Sequence, residues 1–224
     1  MKDRKFSLGI IGASHRGLRM GQNFEESGNC HITCVCDLYP EMLEEAKEIF
    51  GTEVGLYDDV DSFLKYPDLD AVIVATNDKT HAEIAVKVLA AGKHLYLEKP
   101  MAQTIADCDR IINAWQGNCV FLVGHELRYC TLMRQVKEIV ATGTIGKIIL
   151  GTVADNVSVG GNYYYHGRKR KKDYIKSLIL EKGTHSLDLA NWIIGDTPKK
   201  VYASGGLDVF GGNGEDIYCA DCKR

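Results

Sequence analysis

Two stretches of this chain carry residue types suited to moving protons and stabilising charge. The segment "HLYLEKP", residues 94–100, closes an apolar run with Glu98, Lys99 and Pro100 in succession. An unpaired ammonium is costly to desolvate, so a lysine here belongs on a functional rim and not in a core. There its cation can stabilise a developing oxyanion. The segment "LEKGTHSLDLANW" spaces Glu181, His185, Asp188 and Trp192 at i, i+4, i+7 and i+11. On an α-helix these four share one stripe. A carboxylate beside an imidazole fixes its tautomer and raises its basicity, which suits proton transfer near neutral pH. The plainer reading of that spacing is a solvated face with ion pairs. Trp192 on the stripe argues against full exposure, and Gly183 can delay the helix start.

A third constellation is "GIIGASHRG", which contains Gly12-x-Ser14-x-x-Gly17 directly after an apolar run. A dinucleotide-binding turn uses glycine in all three slots: for the tight bend, for close approach of pyrophosphate, and for helix–strand packing. Ser14 holds the middle slot, and its hydroxyl can donate to phosphate. The helix amino terminus attracts the same anion. His15 and Arg16 fill the rest of the turn and join the cofactor-contacting set. Asp37 follows Gly17 by 20 residues, the spacing of a carboxylate that holds a ribose. Its charge favours NAD and disfavours NADP, while the Arg16 cation suits either.

These groups need strands and helices to position them. Apolar runs at Phe6–Ile11, 31–36, near "EVGLY", at "DAVIVAT", at "HLYLE" and at "CVFLVG" predict six strands. Helical faces separate them: Met42, Ala46, Ile49 and Phe50 after Pro40; Ile84, Ala85, Val88 and Leu89 before Gly92; Ile105, Cys108, Ile112 and Trp115. Alternating strands and helices predict an α/β fold with a doubly wound parallel sheet. Ligands bind such sheets at the carboxyl ends of the strands, where Asp37, Thr76 and Lys99 fall.

From about residue 127 the pattern changes, which divides the chain into 1–126 and 127–224. Leu132, Val136, Ile139 and Val140 mark a helix. "KIILGTVADNVSV" and "KKVYASGGLDVF" read as strands flanking a helix over 177–194. These are few strands for a complete layer, so the second region reads as a partial α/β domain that stops early.

The chain has 224 residues, a net charge of −3, 45% hydrophobic and 25% charged residues, as an ordinary soluble protein does. That balance gives no global argument for nucleic acid or membrane partners. No apolar run is long enough for a membrane span. The eight cysteines are scattered, which fits a reducing cytoplasm better than a disulfide framework. "RKRKK", residues 168–172, reads as a solvated loop and not a nucleic-acid patch. Cys219 and Cys222 form half of a zinc pattern, which is insufficient for a metal site. Tyr163, Tyr165 and His166 can line a polyol pocket or pack an interface. His125 and Arg128 sit at the domain junction, where they either reach substrate or stitch the two regions together.

"GIIGASHRG", "VIVATNDKTHAEIAVKVLAAGKHLYLEKP", "GHELRY" and "EKGTHSLDLANWIIG" together resemble the glucose–fructose oxidoreductase / inositol dehydrogenase (Gfo/Idh/MocA) family. The resemblance covers nearly the whole chain in the right order. It implies a Rossmann domain followed by an α/β domain with an open, largely antiparallel sheet, and an oligomer built through that sheet. It implies an NAD-dependent oxidoreductase that takes a hydride from a secondary alcohol of a sugar or cyclitol. Lys99 would lie by the nicotinamide and the substrate hydroxyl, with a cis Lys99–Pro100 bond. An Asp-x-x-x-His pair of the family matches Glu181 and His185. Thr76-Asn77-Asp78 stands where the family has Thr-Pro-Asn, and His81, which can also cap or pack at the helix start, matches a family histidine; Thr76, Asn77, His81 and Glu98 thereby join the cofactor set. Two other functions fit the same residues: an NAD-dependent glycosidase using a transient hydride transfer, and a non-catalytic NAD-binding protein.

Overall fold

The structure, a computed structural model, describes residues 4–156, 171 and 174–206. Six parallel strands form one sheet: β1 (Phe6–Ile11), β2 (Cys30–Cys36), β3 (Gly55–Tyr57), β4 (Ala71–Val74), β5 (His94–Glu98) and β6 (Phe121–Gly124). Their spatial order is β3-β2-β1-β4-β5-β6. Helices α1 (His15–Glu26), α2 (Pro40–Phe50), α3 (Val60–Phe63), α4 (His81–Ala90) and α5 (Ile105–Ala114) connect them. The chain winds outward in both directions from β1 and β4, as the alternating pattern predicts.

Two cores explain why the strands read as continuous apolar runs. Ile11, Val72, Val74, Leu95 and Leu97 pack on one side with Phe63, Ala85, Val88 and Ile111. Ile10, Ile32, Val35 and Ile73 pack on the other with Leu18 and Ala46. Neighbours in one strand, such as Val72 and Ile73, thus serve opposite faces of a sheet covered on both. Each fully buried Val, Leu or Ile contributes about 1.5–3 kcal/mol. Cys34 and Cys36 belong to the first core, and burial pushes both thiols up to about 12. Such thiols are inert, and all six cysteines among the described residues are free.

Helix α5 corrects the face expected for it. Ile111 is its buried residue, while Ile105 and Ile112 are 82% and 52% exposed. The i, i+7 spacing of those two isoleucines keeps them on one face, but it is the solvent face. Cys108 and Ile111, three apart, pack inward instead.

Beyond β6 the described residues are helical or irregular. Helix α6 (Thr131–Ala141) packs against α7 (Thr184–Ile194). Lys137 Nζ lies 5.7 Å from the Trp192 ring centroid and donates to the Trp192 carbonyl at 2.6 Å. The helix expected over 177–194 divides into a π-helical turn, Ile179–Gly183, and α7, so Gly183 does mark a change of geometry. The two strands expected in this region do not form in their described parts, 147–156 and 199–206. A strand needs a neighbouring backbone, and β-propensity alone does not supply one. Ile149, Leu150, Val201 and Tyr202 are 85%, 86%, 83% and 92% exposed, without a ladder partner among the described residues. No helix among those residues is long and apolar enough to cross a membrane.

Candidate active site

Asp37, Thr76 and Lys99 follow the carboxyl ends of β2, β4 and β5. Strands β1 and β4 are neighbours whose connections leave in opposite directions, which opens a crevice at their ends. Gly12 turns the chain there with φ 95°, and a Cβ on it would sit 2.7 Å from the backbone of Ala75 and Thr76. A Cβ on Gly17 would lie 2.0 Å from the Gly12 carbonyl oxygen. The two glycines therefore let the turn lie directly against the chain after β4 and let α1 pack onto the turn, the close backbone packing that a pyrophosphate-binding turn needs. Gly17→Ala should force the turn open, cost about 1–3 kcal/mol, and weaken dinucleotide binding. Thermal denaturation together with calorimetric titration of NAD checks both expectations.

Ser14 and His15 lie exposed on the turn, and the Ser14 side chain makes no capping hydrogen bond to α1. Asp37 at the end of β2 accepts from Ala13 N at 2.7 Å and from Tyr39 N at 3.0 Å. It thus braces the glycine turn, with lone pairs left for a ribose hydroxyl.

The loop after β4 is held by its own side chains. Asn77 Oδ1 accepts from Lys79 N at 3.0 Å and caps a short 3-10 turn, Asp78–Thr80. Thr80 Oγ1 donates to Thr76 Oγ1 at 2.9 Å. His81 lies in the interior, 1% exposed, with Nδ1 2.8 Å from the Pro100 carbonyl and Nε2 3.2 Å from the Thr76 carbonyl. Burial lowers its pKa, so the ring is neutral at pH 7 and donates through one nitrogen. Its place is behind the rim, fastening the β4 loop to the segment after β5.

That segment carries Lys99. The Lys99–Pro100 bond is cis. Glu98, 5% exposed, accepts from Arg16 Nε at 2.5 Å and from the backbone N–H of Lys99 at 2.9 Å. Arg16 also donates to Glu126 at 2.9 Å. Lys99 Nζ reaches across the junction and donates to the Glu181 carbonyl at 3.0 Å. Glu181 is 5% exposed and stands one helical turn before His185, itself 8% exposed.

The electrostatics of His185 follow from that placement. Burial lowers its pKa; Glu126 opposes this, while the cations Lys99 and Lys182 and the neighbouring His125 reinforce it. His185 Nδ1 is buried without a hydrogen-bond partner among the described residues. The His125 ring stands edge-on to it, centroids 6.3 Å apart. His125 Nδ1 is 3.8 Å from Asp188 Oδ2, and burial outweighs that carboxylate to lower its pKa too. Arg128 binds Asp188 in a bidentate fork, Nε to Oδ2 at 2.7 Å and Nη2 to Oδ1. Arg128 and Asp188 therefore tie α7 to the turn after β6.

A cleft of about 370 Å³ opens beside this junction, lined in part by His125, Asp188, Ser177, Thr184 and Asn191. The last three escape sequence reasoning. Their only signal is that Leu180, Thr184, Leu187 and Asn191 form a second helical stripe beside that of His185. Tyr163, Tyr165, His166, Cys219 and Cys222 lie outside the described residues.

Comparison with known proteins agrees with this fold. Residues 6–125 match the family model described as "Oxidoreductase family, NAD-binding Rossmann fold", and residues 133–220 match the "GFO/IDH/MocA C-terminal domain". The chain is 28% identical over 206 residues to myo-inositol 2-dehydrogenase of Thermotoga maritima, covering 89% of this chain and 58% of that protein. It is 29% identical over 197 residues to inositol 2-dehydrogenase of Salmonella typhimurium, covering 87% of this chain and 54% of that one. The chain thus spans just over half the length of these relatives. A crystal structure of scyllo-inositol dehydrogenase from Lactobacillus casei with bound cofactor NAD(H) and scyllo-inositol shares the fold. Its TM-score is 0.72 at 23% identity, over 86% of this chain and 57% of that one. With its Rossmann half and its second region both matched, the chain belongs to the GFO/IDH/MocA oxidoreductase family.

Proposed function

We propose that this chain moves a hydride between a nicotinamide cofactor and a secondary alcohol of a cyclitol or sugar. The observation that supports this most is the contact between Lys99 Nζ and the Glu181 carbonyl, which brings the ammonium to the turn preceding His185. When bound, NAD supplies the hydride acceptor; Gly12, Ser14, Gly17 and Asp37 would hold it. His185, neutral at pH 7, takes the hydroxyl proton of the alcohol. Lys99 donates to the same oxygen and stabilises the negative charge that develops there. In reverse the pair protonates and polarises a carbonyl. Ser177, Thr184 and Asn191 present hydroxyl and amide groups of the kind that bind a polyhydroxylated ring.

The names of the matched relatives favour a cyclitol. The test is NADH formation, followed by absorbance, with NAD and a panel of inositol isomers and hexoses. Net NADH with at least one cyclitol is expected. No net NADH with any polyol at saturating NAD contradicts the reading.

A further inference from the structure

We propose that Arg16, although it sits in the glycine turn, is a positioning residue for Lys99 and not a phosphate ligand. The proposal rests on the catalytic reading of Lys99 given above. Position alone puts Arg16 within reach of a dinucleotide phosphate. Its guanidinium is otherwise engaged. Nε donates to Glu98, 82 residues away, and Nη2 donates to Glu126, 110 residues away.

The Glu98 carboxylate is the centre of the device. Its side chain is 6% exposed, so it needs partners for both oxygens. Oε1 takes Arg16, and Oε2 takes the backbone N–H of Lys99 at 2.9 Å. Guanidinium, carboxylate and amide therefore stand in series. They tie the first turn of α1 to the end of β5, where the Lys99 side chain departs for Glu181. The Arg16 side chain is 48% exposed, so solvent screens its charge. What matters is the buried acceptor: without Arg16, Glu98 loses a donor on one oxygen and has reason to turn toward water. The Lys99 amide then loses its fixed partner, and the ammonium loses its fixed origin. A shift of about 1 Å at a catalytic group can reduce turnover on the order of 10²-fold.

Arg16→Gln separates the two roles. A positioning residue predicts an NAD Kd within about twofold of wild type and hydrogen exchange at the Lys99 amide faster by about tenfold or more. Turnover should fall on the order of 10²-fold with little change in KM for the alcohol. Arg16→Lys, with one donor group in place of a fork, should recover part of the loss. Glu98→Gln should reproduce the faster amide exchange, which covers the case in which Arg16→Gln folds poorly. A weakened Kd with unchanged Lys99 exchange in Arg16→Gln would overturn the proposal in favour of a phosphate ligand. Unchanged exchange in both variants would overturn it as well. Binding and exchange are read without turnover, so they decide this point even if the catalytic reading fails.

Discussion

Lys99→Ala is expected to lower turnover by about 10²–10³-fold, the range for removing one preorganised donor from a developing oxyanion. The reason lies in how the ammonium is held. Its backbone amide is fixed on the buried Glu98 carboxylate, and its Nζ is anchored on the Glu181 carbonyl at 3.0 Å. A donor held at both ends needs no reorganisation when charge appears beside it. Alanine leaves that charge to water. Lys99→Arg should not restore activity, because a planar guanidinium cannot occupy the place of a compact ammonium. The NAD Kd should change little, since the glycine turn and Asp37 are untouched. Steady-state kinetics at saturating NAD measure this, and undiminished turnover would remove Lys99 from the mechanism.

The second large effect belongs to His185. Replacing it with Asn, which has no comparable basicity, should reduce alcohol oxidation by about 10²–10⁴-fold, the usual worth of a positioned base. The pH dependence tests the role more sharply than the rate. Burial holds the His185 pKa below its ordinary value; Glu126 opposes, and Lys99, His125 and Lys182 add to the lowering. The base is active when neutral. Oxidation should therefore stay level from neutral pH downward, and decline only as the pH falls through a value under about 6.5. In His185→Asn that acid limb should vanish from kcat/KM. A limb that persists unchanged in the variant would assign the titration to another group.

The Rossmann half was legible because its physics is local and repeated. Val72, Ile73 and Val74 are all apolar since both faces of β4 are covered, and Gly12, Pro40, Gly51 and Gly92 punctuate the turns. The apolar face of a single helix is a weaker signal, as the exposed Ile105 and Ile112 show. The second region was legible for its helices and not for its strands. A helix satisfies its own backbone, whereas the runs around Ile149 and Val201 depend on neighbours that the described residues do not provide.

The site divides in the same way. Residue type and spacing singled out Lys99, Glu181, His185 and Asp188 as candidates. They could not say that Arg128 closes on Asp188, that Arg16 turns to Glu98, or that His81 is sealed behind Thr76 and Pro100. Those are partnerships across the sequence, chosen by the sheet order and not by any local rule. Arg16 at a phosphate-binding turn is the clearest case. Its neighbours in sequence suggest one partner, and its neighbours in space supply another.

The proposed mechanism needs one ammonium and one imidazole, from separate halves of the chain, to share a single cleft. The most direct measurement is an NMR titration of the His185 imidazole in the wild-type chain and in Lys99→Ala. Convergence predicts that removing the cation raises the His185 midpoint, because one of the charges that disfavours the imidazolium is gone. An unchanged midpoint in the folded variant would place the two nitrogens in separate environments and contradict the mechanism.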